Sequence, residues 1–344
     1  EFVSPEHDHR QPFFFAESLE PVLPFSYQVR RSDFDEILFR HAEKTGVVLK
    51  EQYAVTEGLR TADGWTLQLD GDDGRSEVSA TYVVDASGRD GFLARAHDLR
   101  VRDSRHNSAA LFAHYEGVDP AAWGTPGNIS IYWFEHGWIW FIPLPDGVTS
   151  IGAVCMPDYL KTRSGSLEDF MESTLRLCPK AWDVAKNADR VSAVSGAGNY
   201  SYKAKSASGD GYLLVNDILD RPAKAAAYQR RYQREVDHAI KRVSWFVVRF
   251  NTLTMMNLFM APRNPFGVKN AVISLLAGEF YRGGTLAARL WLFRSIYTIS
   301  RWLNRGADKR REERLKALPS LSMPENEISG DMATGLANQH GRRT

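Results

Sequence analysis

Three apolar runs lie between Asn128 and Val154, separated by His136-Gly137 and by Pro145-Asp146-Gly147. Glycine after a polar residue supplies the φ > 0 position of a tight hairpin, so the stretch predicts an antiparallel meander. Side chains alternate faces along a strand. That puts Trp138, Trp140 and Ile142 on one face and Ile139 and Phe141 on the other. Two indoles two residues apart make a rigid wall about the length of a flat ring system. Large aromatics also favour strands through burial alone, so an ordinary sheet core accounts for the same pair.

Upstream, Phe34, Ile37, Leu38 and His41 recur at helical spacing behind Ser32 as N-cap, with Asp33 and Asp35 at the positive helix end and Gly46 as the stop. Strands are predicted near 53–60, 64–70 and 76–84, with a turn at Asp72-Asp73-Gly74. The third ends Thr81-Tyr82-Val83-Val84 and runs into Asp85-Ala86-Ser87-Gly88, where small residues let a backbone approach a ligand closely. Ser108–Val118 reads as a strand, Leu167–Cys178 as a helix stopped by Pro179, and Gly211–Asp217 as a strand ending in an acidic residue. Pro222 suits the first turn of a long helix from Ala223 to about Phe250. Its Arg230–Glu235 stretch reads as a solvated face rather than a nucleic-acid patch.

Residues 285–303 are amphipathic, with Leu286, Leu290, Phe293, Tyr297 and Ser300 on one stripe. Arg289, Arg294 and Arg301 leave a membrane-surface helix open; packing on the domain is the expectation. After Arg305, the run Lys309–Arg314, Pro319, Pro324 and the polar remainder to Thr344 predict a disordered tail.

A chain of 344 residues suits one large domain or two unequal ones. The net charge of +1 gives no case for nucleic acid as a partner. Cys155 and Cys178 stand in no C-x-x-C or metal-ligand spacing, which points to a reducing cytoplasm and no metal. His7-x-His9 lacks a carboxylate or Cys partner at ligand spacing and reads as a solvated loop. No apolar run reaches roughly 18 residues, so no transmembrane segment is expected, and no secretory signal is visible. The chain opens Glu1-Phe2-Val3 rather than with Met, so a segment ahead of it is expected.

Trp138-Ile139-Trp140-Phe141-Ile142-Pro143 spells W-x-W-x-I-P, and with it the chain resembles the flavin-dependent halogenases, in particular the phenolic and carrier-tethered pyrrole branch. The likeness spans residues 10–305 and is most specific at this motif and over 244–278. It implies that Arg31, in Arg31-Ser32-Asp33-Phe34-Asp35, looks towards the phosphates of FAD, which a guanidinium can fork onto. Asp85-Ala86-Ser87-Gly88 is similar to the element that closes over FAD in glutathione-reductase-like flavoproteins, hydroxylases and reductases included. Tyr200-Ser201-Tyr202 resembles the run before the last flavin strand. Asp217 is implied to meet the ribityl chain, with Asn216 where relatives carry Gly. Gly196-Ala197-Gly198 lacks the third glycine of a dinucleotide loop and the helix after it.

Three family features have no counterpart: the G-x-G-x-x-G loop, the catalytic lysine, and the few dozen residues that follow the flavin-strand Asp. Here Asp217 passes directly to Ile218–Ala223, as after an internal deletion. No catalytic residue is assigned. The implied fold is α/β, mixed α+β: a remnant of a glutathione-reductase-like FAD fold. It divides into a partial FAD-binding domain at 1–106, an antiparallel-sheet substrate domain at 107–203, a remnant of the last flavin strand at 204–221, a C-terminal helical region at 222–305 and a tail at 306–344.

The implied activity is chlorination or bromination of an electron-rich aromatic or pyrrole substrate, free or carrier-protein-tethered, in secondary metabolism. A separate flavin reductase would supply FADH2, and O2 with chloride or bromide would give hypohalous acid. Trp138, Trp140, Ile142 and Pro143 would wall its passage. A non-catalytic remnant or faulty gene model is the alternative. A related flavin monooxygenase or reductase is a weaker third, because those do not normally carry W-x-W-x-I-P.

Overall fold

The computed structural model describes residues 1–21, 23–88, 91–102, 108–119, 124–198, 202–206 and 225–317. Two compact units share the chain. One comprises Glu1–Arg30, Ser104–Ser201 and Val243–Thr344, the other Arg31–Asp103 and Tyr202–Arg242. The first unit opens with β1 (Phe2–Val3) and β2 (Arg10–Gln11). The second takes α1 (Arg31–Lys44), β3 (Ala54–Arg60), β4 (Trp65–Gly71), β5 (Gly74–Ala80), α2 (Phe92–Ala96) and β6 (Arg100–Arg102). The chain returns to the first unit with β7 (Ala109–Glu116), β8 (Ser130–Phe134), β9 (Gly137–Pro143) and β10 (Thr149–Cys155). There follow α3 (Pro157–Leu160), α4 (Leu167–Arg176), α5 (Pro179–Ala185), β11 (Asp189–Arg190) and β12 (Ser195–Ala197). In the second unit β13 (Tyr202–Ala204) pairs with β6, and α6 (Ala225–Val247) runs out of it. Helices α7 (Leu253–Met260), α8 (Val268–Leu276), α9 (Thr285–Leu303) and α10 (Arg305–Ala317) complete the first.

The first unit is built on a sheet of order β11-β7-β10-β9-β8-β1-β2, with β12 also pairing β7. The predicted meander is its centre: β8, β9 and β10 pair antiparallel in sequence. Gly137 is required where β9 starts, since a Cβ there would lie 1.9 Å from the Val154 carbonyl oxygen. At the other turn Asp146 and Gly147 both adopt left-handed φ, 64° and 73°, which Asp and Gly tolerate best. The period of two then sorts side chains into two cores. Ile139, Phe141, Ile151 and Ala153 are fully buried beneath α4 and α5, against Phe170, Met171, Leu175 and Ala181. A large apolar side chain so placed contributes about 1.5–3 kcal/mol. On the opposite face Trp133 and, in part, Trp138 meet Met255, Phe259, Val272, Leu290 and Phe293 of the C-terminal helices.

Local signals set the helix ends. Ser166 and Asp169 form a capping box on α4. Pro179, expected as a stop, is the first residue of the next helix, because a proline lacks only an N–H that the first turn leaves unused. The stripe Leu286, Leu290, Phe293 and Tyr297 of α9 is buried as its period predicts, while the outer face exposes Trp291, Ile299, Trp302 and Leu303.

Where the sequence predicts a tail from 306, α10 runs instead. Asp308 accepts from Thr254 Oγ1 (3.1 Å) and Arg311 Nη1 donates to the Asn251 carbonyl (2.8 Å), so tertiary bonds hold a helix with little apolar content. Residues 318–344 lie outside the described residues.

The second unit contains the meander β3-β4-β5. Its third strand ends at Ala80, and Thr81–Val84, predicted as strand, are in no ladder among the described residues. Helix α1 starts at Arg31, and Ser32 Oγ donates to Asp33 Oδ1 (2.9 Å) inside it rather than capping it. Its apolar stripe, Phe34, Ile37 and Leu38, is exposed. The long helix covers Ala225–Val247, a turn short of the predicted 223–250 at its C-terminal end. The fold is mixed α/β, and among the described residues no helix is long and apolar enough to cross a membrane.

Candidate functional site

β9 carries the tryptophan motif, and its pleat sets Trp138 and Trp140 side by side with ring centroids 5.9 Å apart. Both indoles are half-buried, whereas Ile139 and Phe141 between them are sealed on the other face. Trp140 lies flat over Gly152, its cross-strand partner on β10; a Cβ built on Gly152 would sit 2.2 Å from the indole Cζ2. The indole N–H donates to Ser150 Oγ at 3.3 Å, and Phe112 of β7 flanks the ring at 6.2 Å. Phe250 meets Trp138 edge-on at 5.8 Å and leans on Trp133 at 5.1 Å, extending the aromatic face. Ile142 and Pro143 end the strand half-buried. These four motif side chains carry no ionisable group, so what the wall offers is shape and a largely apolar surface.

Gly152, Phe112 and Phe250 are supports that sequence reasoning misses. The glycine's position opposite Trp140 in a three-strand meander is a signal for the first. Phe250 comes from more than a hundred residues away and leaves none.

Arg31 and Asp85–Gly88 belong to the second unit. Arg31 holds Asp35 through a two-pronged ion pair (Nε–Oδ1 3.1 Å, Nη2–Oδ2 2.9 Å), and both side chains are largely exposed. Asp85 ties its own loop to α2. It accepts from the backbone N–H of Ser87 (3.0 Å) and Leu93 (2.7 Å) and from the Ser87 hydroxyl (2.5 Å), while Ser87 Oγ accepts from the Phe92 N–H (2.9 Å). Burial pushes the Asp85 carboxyl up, but the Ser87 hydroxyl and the N–H groups of Ser87, Leu93 and Ala94 outweigh it and hold the group below the ordinary carboxylate value. The loop thus fixed exposes Ala86, Ser87 and Gly88; Gly88 has φ 60°, and a Cβ on it would meet nothing within 4 Å. Asp217, with Asn216, Tyr200 and Ser201, lies outside the described residues.

Gly196 sits in β12 paired with Leu111, a strand and not a nucleotide loop. His9 Nε2 bonds the Met260 carbonyl at 2.7 Å and His7 Nδ1 the Ser4 hydroxyl at 3.0 Å, so both rings serve packing of the N-terminal segment.

The family model for tryptophan halogenases matches residues 6–190. Among curated relatives, the flavin-dependent halogenase rdc2 of Metacordyceps chlamydosporia is 30% identical over 227 residues, covering 56% of this chain and 42% of that protein. The 1H-pyrrole-2-carbonyl-[peptidyl-carrier protein] brominase of Pseudoalteromonas luteoviolacea is 30% identical over 203 residues, covering 57% and 50%. The chain thus spans about half the length of these relatives. Of solved structures, the flavin-dependent halogenase CmlS superposes with a TM-score of 0.65 at 21% identity, over 84% of this chain and 54% of that one. A triple mutant of the flavin-dependent brominase Bmp2 gives 0.70 at 22%, over 87% and 81%. At these identities the superpositions establish the fold. With more than half of its residues matched by the family model and the tryptophan motif seated on the central strand, the chain belongs to the tryptophan halogenase family.

Proposed function

We propose that the chain serves FADH2-dependent chlorination or bromination of an electron-rich aromatic or pyrrole substrate. The observation that carries this is the W-x-W-x-I-P strand with both indoles on one braced, half-buried face. Trp138 and Trp140 would exclude water from the passage taken by the oxidised halogen and stack against a flat ring. Reduced FAD, when bound, supplies the oxygen activation that makes halide electrophilic. A flavin reductase would deliver it, and a carrier protein is one way to present the substrate.

The residues fit that cofactor in part. Ala86, Ser87 and Gly88 give a small, exposed stretch against which a flat nucleotide can lie, and Arg31 gives an exposed cation. The sequence contains no G-x-G-x-x-G run, the loop by which a Rossmann unit holds a pyrophosphate. Two free, buried thiols, Cys155 and Cys178, accord with a reducing cytoplasm.

A second reading, that this chain alone is non-catalytic, is favoured by Asp35 holding Arg31 along the Nε–Nη2 edge of its guanidinium, the edge best shaped to fork onto a phosphate. Flavin absorbance after gel filtration, with a fluorescence titration of FAD, separates the two. Retained flavin, followed by halogenation with reductase and halide, supports the first; no binding at high micromolar FAD selects the second.

A further inference from the structure

Beside α9 and α10, in the first unit, lies a cavity of about 710 Å3 with aromatic walls and a basic lining, within the range of ligand pockets. The Arg249 guanidinium stands 4.6 Å over the Trp245 ring and 5.9 Å from that of Tyr297, and its Nη1 donates to the Trp245 carbonyl at 3.0 Å. Arg305 lies 5.8 Å over Trp302. Arg301 and Lys309 complete the basic lining, and Lys309 has Glu313 at 3.7 Å. Of the lining residues only Asp308 is acidic. It is engaged already, accepting from Thr254 Oγ1 at 3.1 Å and standing 3.8 Å from Arg301 Nε.

Set against the carboxylates of Asp308 and Glu313, the four cations Arg249, Arg301, Arg305 and Lys309 leave a surplus of two positive charges, which suits an anion of charge near two. Guanidinium groups laid over rings keep N–H edges oriented for paired oxygens. We propose that this cavity is a binding site for a phosphate group carried on an aromatic or other apolar body. The body would rest on Trp302 and Ile299, which are 59% and 60% exposed at its rim. That phosphate belongs either to a soluble aryl phosphate or to an anionic lipid headgroup. The site rests on the first unit alone and stands apart from the halogenase reading.

The test is calorimetric titration of the full chain with phenyl phosphate, with phenol as the uncharged control. Co-sedimentation with phosphatidylglycerol or phosphatidylcholine vesicles runs beside it. Trp302→Ala and Arg305→Ala remove exposed groups from the cavity, and Lys186→Ala removes a cation elsewhere. Saturable phenyl phosphate binding that weakens about tenfold or more in both cavity variants, and not in the control, is the expected result. Binding only to phosphatidylglycerol vesicles, with the same variant sensitivity, would also support the site and assign the phosphate to a headgroup. Binding of neither, or binding that the cavity variants leave unchanged, would overturn the proposal.

Discussion

Trp140 and Gly152 face each other across β9 and β10 so closely that the indole occupies the place a Cβ on Gly152 would take. Gly152→Ala should therefore push the ring off the sheet and destabilise the protein by about 1–3 kcal/mol. Trp140→Ala should remove most of that penalty, with a coupling of about 0.5–3 kcal/mol in a double-mutant cycle. Urea denaturation of the four proteins measures it; additive effects would mean that the ring does not lie over the glycine.

The two faces of β9 should answer differently to truncation. Phe141 is fully buried under α4 and α5, so Phe141→Ala should lose about 3–5 kcal/mol. Trp138→Phe keeps a ring on a half-buried face and should cost about 1 kcal/mol or less. Chemical denaturation midpoints decide it, and equal losses would count against the division.

Asp85 makes stability depend on acid pH. A carboxyl held below its unfolded value contributes above that value, and its contribution disappears as pH falls through the lower folded value. Asp85→Asn should be less stable than the parent near neutral pH, and the gap should close on acidification. A gap that stays constant from about pH 7 down to about pH 3 would show that the carboxylate does not hold the loop.

The two thiols should be silent in the folded protein. Burial pushes Cys155 up to about 12 and raises Cys178, so thiolate is scarce at ordinary alkylation pH. Iodoacetamide near pH 8.5 should label neither residue natively and both after denaturation, as read by intact mass. Rapid labelling of native Cys155 would contradict its burial.

How much was legible followed from where each structure draws its stability. The meander was readable because strand period, Gly137 and Asp146-Gly147 all act within a few residues. Helix α9 was readable for the same reason, its stripe from Leu286 to Tyr297 repeating over about three turns. Thr81–Val84 carried strand propensity, but a strand also needs a neighbour, and none pairs with it among the described residues. Helix α10 reads as a polar tail because its anchors, Asp308 to Thr254 and Arg311 to Asn251, are bonds to a distant segment. The wall's own residues were visible in the motif, whereas Phe250 reaches Trp138 only through the fold.

With one core on each side, β9 behaves as a ruler graduated in steps of two. Inserting or deleting a single residue between Gly137 and Pro143 would exchange the two sets of side chains, driving indoles into the close-packed side and phenylalanine out of it. Changes of two residues would keep the sets apart. The strand's length is therefore constrained by parity more tightly than the identity of any one of its side chains.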